Sequence, residues 1–534
     1  MPGLSTKDEP QAQPDWTSLL ATAIDREDNQ TPYYAQIAES FQAMIDSGKI
    51  SAGRKLPTNR ELAALLSIDR STAARAYAEL TRMGYLESHV GKGSFARKPL
   101  SEGSTITPSE SEPYDWTRKF SRANQSIYDI FRSENETYEW KPDLISFAGG
   151  IPSFDSYPTE DFESILGAIM EENRARGLFE YSPAEGHPSL RRQVLFHLRR
   201  IEIPAKQEEL LIVSGSQQGI DIVSSVFVDP GDRVAMEDPS YLWGGCSFKN
   251  RQAECLPTPM DEEGIRLDVL ESHLKRYRPK LIYVIPNFQN PTGMTMSLTR
   301  RVALLALASH YQVPILEDDF VGDLRYEGER LPSLRALPGG DKIVIHQGTF
   351  SKALCPALRL GWLVAPQEVL GRLILAKRAS NLSTNSLSQI FLAEFLAKGL
   401  LEDHLRSVRE TYRRRRDTML TELHRAFDTS TGITWSKPEG GMFIWMKLPE
   451  GHSTKELLLH ARDRNVSFAP GHLCFLSGEN TSHLRLCFIQ NDEATIKAGI
   501  ERLRQAVESY FNLVETRKSN SSRPVFAGGG HTFI

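Results

Sequence analysis

From Tyr34 the apolar positions Tyr34, Ile37, Phe41, Met44 and Ile45 recur at helical spacing and stop at Gly48, which predicts one amphipathic helix. In the next stretch, "LPTNRELAALL", Thr58 as N-cap and Glu61 three residues later form a capping-box signature. It predicts a short helix that turns Leu62, Leu65 and Leu66 inward. After a brief turn, "SIDRSTAARAYAELTRMGYL" starts another helix, with Asp69 or Ser71 as cap and Ala74, Tyr77, Leu80 and Met83 on one face. Two short helices joined by a tight turn predict a helix-turn-helix. "GYLESHVGKGSFARK" then alternates briefly around Gly91-Lys92-Gly93, as a small hairpin would.

Further along, the period changes. Apolar β-type runs, "LLIVSG", "RVAMED", "LIYVIPN", "PILEDD", "IVIHQGTFS" and "LGWLVA", alternate with helical stretches such as "TRRVALLALASHY". This alternation predicts an α/β layered domain with a largely parallel sheet. Residues 1–31 are polar and carry Pro2, Pro10 and Pro14, so a flexible leader is expected, with order beginning near Pro32. Residues 99–143 open with "PLSEGSTITPSESEP", the composition of a linker, and their second half, "WTRKFSRANQSIYDIF", is expected to dock on the domain that follows. The expected division is therefore a leader (1–31), a helix-turn-helix module (32–98), a linker (99–143), the α/β domain (144–514) and an aperiodic tail (515–534).

Composition narrows the class. A chain of 534 residues with 40% hydrophobic and 25% charged residues can bury several cores, as a soluble globular protein does. No apolar run reaches the length of about eighteen residues needed to cross a membrane. The N-terminal "MPGLSTKDEPQAQPDW" also lacks the basic-then-apolar order of a signal peptide. The expected location is the cytoplasm, without a membrane partner. Cys246, Cys255, Cys355, Cys474 and Cys487 include no CxxC pair and are odd in number, which argues against a zinc site and a disulfide framework. No metal is expected. Net charge is -5, yet Tyr33 to Lys98 holds ten Lys/Arg against six Asp/Glu, an excess of +4. A solvated surface explains so small an excess as well as a nucleic-acid partner does.

In a helix-turn-helix the second helix enters the major groove with its N-terminal residues facing base edges. Here those residues are Arg70, Ser71, Thr72 and Arg75. Arg60, near the start of the preceding helix, can reach phosphate or guanine, and Gly91 and Lys92 at the hairpin tip suit backbone or minor-groove contact. A small helical bundle merely solvated by its arginines would show the same pattern. The whole of "PYYAQIAESFQAMIDSGKISAGRKLPTNRELAALLSIDRSTAARAYAELTRMGYLESHVGKGSFARK" resembles the winged helix-turn-helix of GntR-type bacterial regulators. The resemblance includes the "SGKI.AG.KLP..RELA" core and the "G.L.S..GKG.F" wing. It implies a double-stranded operator as partner and contacts from Arg60, Arg70, Ser71, Thr72 and Gly91. Ala74 stands where some relatives carry an arginine, which leaves the base preference open, though Arg75 is adjacent.

A second set of polar residues falls at the ends of predicted strands, where ligands of α/β sheets bind. "VSGSQQGID" leads from a strand into an apolar helix, so the amides of Gly215, Ser216 and Gln217 can face an anion. "PILEDDF" ends a strand with Glu317, Asp318 and Asp319, and "IPNFQNPTG" ends another with Asn290, a hydrogen-bond donor. In "GTFSKALCPALRLGW", Thr349, Ser351 and Arg359 surround Lys352 with hydroxyls and a permanent cation suited to phosphate. Taken singly, each is also an ordinary loop, strand end or surface lysine. Together they supply what pyridoxal 5'-phosphate chemistry needs: a lysine amine for the aldimine, an acid beside the pyridine nitrogen and a cradle for the phosphate.

Residues 144–514 resemble fold-type I aminotransferases of the class I/II group, with "SFAGGIPSFDSYP", "YSPAEGHPSLRRQV", "SGSQQGID", "EDPSY", "QNPTG", "EDDFVGDLRYEG", "PEGGMFIWMKLP" and "HLRLCF" in the family's order. The resemblance implies Lys352 as the Schiff-base lysine, Asp318 as the pyridinium partner and Asn290 at the ring oxygen. It places Tyr241 on the ring, Ser216, Gln217, Ser351 and Arg359 near the phosphate, and Arg485 as the clamp for an amino-acid carboxylate. The implied fold is a large, mostly parallel-sheet domain with a smaller C-terminal α+β domain. One departure stands out. Relatives carry a tyrosine two or three residues after the matching aspartate, where this chain has Phe320 and Val321. The missing hydroxyl favours sensing over catalysis.

The two resemblances in one chain are the arrangement of the MocR subfamily of GntR regulators. They imply a transcriptional regulator that senses an amino-group effector through a Lys352 cofactor aldimine, as a homodimer. A working aminotransferase acting on an amino acid and a 2-oxo acid is the alternative.

Overall fold

The computed structural model describes residues 15–28, 30–89, 93–98, 115–135, 143–171, 178–476, 478 and 481–521. The chain divides into two compact units, Met1–Asp115 and Trp116–Ile534.

In the first unit the helices Tyr33–Asp46, Asn59–Leu66 and Arg70–Arg82 pack around Ile37, Phe41, Leu62, Ala73, Tyr77 and Leu80. Thr58 and Glu61 form the reciprocal capping box, at 3.3 Å and 2.7 Å, that starts the second helix. Its last turn closes at Ser67, a non-glycine residue with φ of 52°. That left-handed residue makes the tight turn into the helix Arg70–Arg82, which Asp69 begins without a side-chain capping bond. Strands β1 (Leu86–His89) and β2 (Gly93–Ala96) pair antiparallel as the wing. Two inward assignments need correction. Leu65 is 37% exposed and Ala74 faces solvent, while Ala63, Ala73 and Ala76 are buried. Small alanines at the contact let the helices Tyr33–Asp46 and Arg70–Arg82 approach closely, which turns the buried stripe by one position.

The expected leader also differs. A helix Trp16–Leu19, capped by Asp15, carries Leu20 and Ala23, both 2% exposed, into this same core. Gln36 ties the segment down by accepting from the Asp25 amide (2.7 Å) and donating to the Thr31 carbonyl (2.9 Å). Order in this unit therefore extends well ahead of Pro32.

The second unit opens with a helix, Arg122–Asn135, inside the span expected to be linker, and this helix packs on the helix Leu242–Asn250. Strand β3 (Ile145–Ser146) follows. An eight-stranded sheet comprises β4 (Leu210–Val213), β5 (Arg233–Asp238), β6 (Glu254–Asp261), β7 (Gly264–Ile265), β8 (Leu281–Val284), β9 (Ile315–Asp319), β10 (Val344–Thr349) and β11 (Gly361–Val364). Their order is β4-β11-β10-β9-β8-β5-β6-β7. Strand β11 runs antiparallel to both neighbours and β7 antiparallel to β6, while the other pairs are parallel. Alternate residues feed two cores: Leu281 and Tyr283 join one, Ile282 and Val284 the other. Helices therefore cover both faces, and every residue of β8, β9 and β10 is buried.

The remaining chain builds a smaller antiparallel sheet from β12 (Thr434–Trp435), β13 (Phe443–Lys447), β15 (Ala469–Pro470) and β16 (His483–Cys487), in the order β12-β13-β16-β15. Strand β14 (Val466–Ser467) instead pairs in parallel with β3. The helix Glu493–Ser521 runs past residue 514 into the expected tail. Among the described residues no helix is long and apolar enough to cross a membrane, and no cluster of His, Cys, Asp or Glu could hold a metal ion. All five cysteines are unpaired.

Candidate functional site

The carboxyl ends of β5, β8, β9 and β10, joined by β16 of the smaller sheet, meet at one cavity of about 350 Å³. Ser216, Gln217, Tyr241, Asn290, Asp318, Thr349, Ser351, Lys352, Arg359 and Arg485 all line it. Residues separated by nearly three hundred positions in sequence thus share a single cleft.

Asp318 sits in the buried strand β9, opposite Gln347 of β10. Its Oδ2 accepts the Tyr283 hydroxyl at 2.7 Å, whereas its buried Oδ1 has no hydrogen-bond partner among the described residues. Burial pushes the carboxyl up to about 6, with the Tyr283 hydrogen bond opposing. Its two neighbours are disposed of separately, so the three acids do not share one environment. Glu317 accepts from the Leu334 amide (2.7 Å) and the Ser333 hydroxyl (3.1 Å) and lies 3.1 Å from His346 Nδ1. Burial alone would raise Glu317, but the His346 contact and the Leu334 amide bring it below the usual range. Asp319 accepts from Asn287 at 2.9 Å.

Lys352 lies just past β10, its Nζ donating to the Gly150 carbonyl at 2.7 Å. Burial, with the Arg359 and Arg485 cations adding repulsion, lowers its pKa. Asn290 accepts from Arg485 Nη1 at 2.8 Å, which leaves its amide nitrogen with no partner among the described residues. Arg485 Nη2 donates to the Ala148 carbonyl at 2.8 Å, and the guanidinium lies 4.0 Å from the Phe443 ring centre. Tyr241 donates to the Gln217 side chain at 3.0 Å, and Gln217 in turn donates to Ser247 at 2.9 Å.

At the opposite end, Gly215 caps the helix Ser216–Phe227 at φ of 84°. A Cβ here would lie 2.7 Å from an Arg359 nitrogen, and the positive φ is one that side chains rarely adopt, so glycine suits both the turn and the approach of that guanidinium to the helix N-terminus. The Thr349 and Ser351 hydroxyls stand 3.0 Å apart beside it. Helix amides, two hydroxyls and an arginine make an anion cradle.

The donor set fits pyridoxal phosphate. A protonated ring nitrogen would satisfy the orphaned Asp318 Oδ1, the cradle accepts a phosphate, and the free Asn290 amide can donate to a ring oxygen. Phe320 is buried and lines the cavity, without a hydroxyl to offer, and Val321 is buried. Sequence reasoning missed Tyr283, although a tyrosine inside the otherwise aliphatic "LIYV" needs a buried hydrogen-bond partner. It also missed Trp243, Leu473 and Cys474 on the cavity wall, which carry no distinguishing spacing.

On the first unit, Arg60, Arg70, Ser71 and Arg75 are exposed and Thr72 is half-buried. Arg70, Ser71 and Thr72 form the first turn of the helix Arg70–Arg82. The Arg75 guanidinium lies 4.4 Å over the Tyr34 ring. Gly91 and Lys92 lie outside the described residues.

Residues 33–95 match the family "Bacterial regulatory proteins, gntR family" and residues 142–503 match "Aminotransferase class I and II". The uncharacterized HTH-type transcriptional regulator YisV of Bacillus subtilis is 32% identical over 490 residues, 90% of this chain and 98% of its own. The probable rhizopine catabolism regulatory protein MocR of Rhizobium meliloti is 27% identical over 484 residues, 90% and 95% of the two chains. Among solved structures, LysN, the α-aminoadipate aminotransferase of Thermus thermophilus in complex with N-(5'-phosphopyridoxyl)-L-leucine, superimposes with a TM-score of 0.69 at 36% identity. That match covers 75% of this chain and all of LysN. With a GntR-type helix-turn-helix and a class I/II aminotransferase domain in one polypeptide, this chain belongs to the MocR subfamily of GntR regulators.

Proposed function

We propose that the protein is a cytoplasmic transcriptional regulator that binds pyridoxal 5'-phosphate at Lys352 and uses it to sense an amino-group effector. The observation that carries this reading is the orphaned Asp318 Oδ1 sharing a cavity with the half-buried Lys352, whose amine is held on the Gly150 carbonyl. When bound, the cofactor supplies an electrophilic carbon for amines and an electron-withdrawing ring.

This chain's residues divide the remaining work. A depressed pKa leaves more of Lys352 in the neutral, nucleophilic form, and the Gly150 carbonyl orients it. Asp318 keeps a proton at the ring nitrogen, and Asn290 donates to the ring oxygen. Tyr241, held by Gln217, covers the ring face. The amides of Gly215, Ser216 and Gln217, with Thr349, Ser351 and Arg359, hold the phosphate, and Arg485 clamps a carboxylate in the bidentate manner that suits its fork. On the first unit, Arg60, Arg70, Ser71, Thr72, Arg75, Gly91 and Lys92 contact operator DNA.

Effector binding changes operator affinity because the effector favours one of two arrangements of the chain. The helix Arg122–Asn135 is the coupling element. Phe131 stacks on Trp243 at 4.6 Å, and Trp243 lines the cofactor cavity. A homodimer covers Phe179 and Tyr181, which are otherwise 82% and 84% exposed.

The second reading, a working aminotransferase, draws support from the complete lysine, aspartate and arginine set and from the likeness to LysN. Phe320 weighs against it. The test compares operator affinity, measured by fluorescence anisotropy on DNA from the protein's own upstream region, with and without amino compounds. Wild type is expected to respond and Lys352→Ala to lose the response; an intact response in Lys352→Ala rejects covalent sensing. Steady keto-acid formation from an amino acid and 2-oxoglutarate supports the enzyme reading.

A further inference from the structure

The cavity wall divides by chemistry. Its polar residues lie where the cofactor and a carboxylate are accommodated, and the rest of the wall includes Ile151, Leu242, Trp243, Phe443, Leu473 and Cys474. None of these is charged. Burial pushes the Cys474 thiol up to about 11, so it is neutral at physiological pH. Arg485, the cation on this side, already donates to Asn290 and Ala148 and lies over Phe443. Lys249 and Lys455 line an adjoining cavity of about 260 Å³, and Leu242, Leu473 and Cys474 form the wall the two cavities share.

A ligand whose amine points to Lys352 and whose carboxylate meets Arg485 must direct its side chain at this apolar wall. A second carboxylate or a distal ammonium there would lose hydration without gaining a counter-charge from the described residues of this wall. An aliphatic or aromatic group would instead lie on the Trp243 face and against Leu242 and Leu473. We infer that the effector is an α-amino acid with an uncharged, apolar side chain, and that Leu473 and Trp243 set this selectivity. The inference rests on the reading that Lys352, Asp318 and Arg485 hold the cofactor and the carboxylate.

Trp243 also connects this subsite to the rest of the chain. Its ring is stacked, at an interplanar angle of 12°, on Phe131 of the helix Arg122–Asn135. A side chain filling the apolar end therefore presses on the residue that carries that helix. Side-chain identity, and not only the amine and carboxylate, is what the helix registers.

The experiment uses the full chain loaded with pyridoxal phosphate and titrates L-phenylalanine, L-leucine, L-glutamate and 4-aminobutyrate, following cofactor absorbance and operator affinity. L-Phenylalanine or L-leucine is expected to act at concentrations lower by about tenfold or more than L-glutamate and 4-aminobutyrate. Equal or tighter action of either charged compound overturns the inference and leaves the cofactor reading standing. Silence of the absorbance with every amino compound rejects covalent sensing through the cofactor and the inference with it. Leu473→Arg is expected to move the phenylalanine-to-glutamate preference by about tenfold toward glutamate, and an unchanged ratio overturns the assignment of this wall. Trp243→Ala provides the independent check, with an expected loss larger for L-phenylalanine than for L-alanine; equal losses contradict it. Unaltered cofactor absorbance before titration marks each variant as folded.

Discussion

Asp318 is strained between burial and charge. Burial pushes its carboxyl up to about 6 from the ordinary 3.8, so the fold without cofactor keeps this proton to a higher pH than the unfolded chain does. A raised carboxyl contributes stability fully below its unfolded value, and that contribution is lost as pH rises through the folded value. The thermal midpoint of cofactor-free protein is therefore expected to fall between about pH 4 and pH 6 relative to that of Asp318→Asn. Saturating pyridoxal phosphate should flatten this difference, because the ring cation offsets the buried anion. A slope identical in the two proteins contradicts the assignment. Removing one partner of a buried ion pair costs about 3 to 5 kcal/mol, so Asp318→Asn should bind cofactor more weakly by about 100-fold or more in an absorbance titration.

Phe320 poses the opposite case, a hydroxyl missing from a site otherwise complete. One hydrogen bond contributes about 0.5 to 1.5 kcal/mol. Phe320→Tyr should thus raise keto-acid formation up to about tenfold, and an unchanged rate separates that hydroxyl from turnover. Lys352 and Asp318 were legible in the sequence because unlike functional groups stand at the ends of strands whose order fixes their convergence. Tyr283 was not, because its role depends on which strand lies beside β9, and pairing between strands distant in sequence leaves no local mark.

Among the elements, legibility followed the strength of the period. The six apolar runs "LLIVSG", "RVAMED", "LIYVIPN", "PILEDD", "IVIHQGTFS" and "LGWLVA" each contain a strand of the main sheet, because strands buried on both faces read as unbroken apolar runs. The segment containing Trp16–Leu19 was passed over, since its prolines and polar residues dominate the composition while Trp16, Leu20 and Ala23 are few. Leu65 misled for a related reason. A leucine costs little on an exposed helix face, whereas Ala73 and Ala76 gain their place from the close approach of another helix.

The helix Arg122–Asn135 carries its own prediction. An aromatic stack contributes about 0.5 to 1.5 kcal/mol, so Phe131→Ala should loosen this helix without unfolding the sheet behind it. Faster amide exchange confined to residues 122–131, with a weakened effector response, is the expected outcome. Unchanged exchange there would remove the helix from the coupling route. The capping box of the first unit provides a purely structural comparison, for Thr58→Ala should cost about 1 kcal/mol of stability and lower operator affinity through misplacement of the helix Asn59–Leu66.

At the scale of the whole molecule, a net acidic chain carries a locally basic stretch, Tyr33 to Lys98, with Arg60, Arg70, Ser71 and Arg75 exposed on it. Phosphate contacts make operator binding depend on salt, and replacing one contacting arginine lowers the dependence by about one counterion. Arg70→Ala, read against wild type over a salt series, checks that this face meets DNA. What unites the two units is thermodynamic linkage: if effector binding changes operator affinity, operator binding changes effector affinity by the same factor.

That reciprocity gives the most direct test. One amino acid that perturbs the cofactor is titrated into the loaded full-length protein, with cofactor absorbance and operator anisotropy read in the same sample. The account predicts a single midpoint for both signals and a shift of the absorbance midpoint when operator DNA is added. An absorbance change that saturates while operator affinity stays constant would contradict it, leaving a cofactor site and a DNA-binding unit with no communication between them.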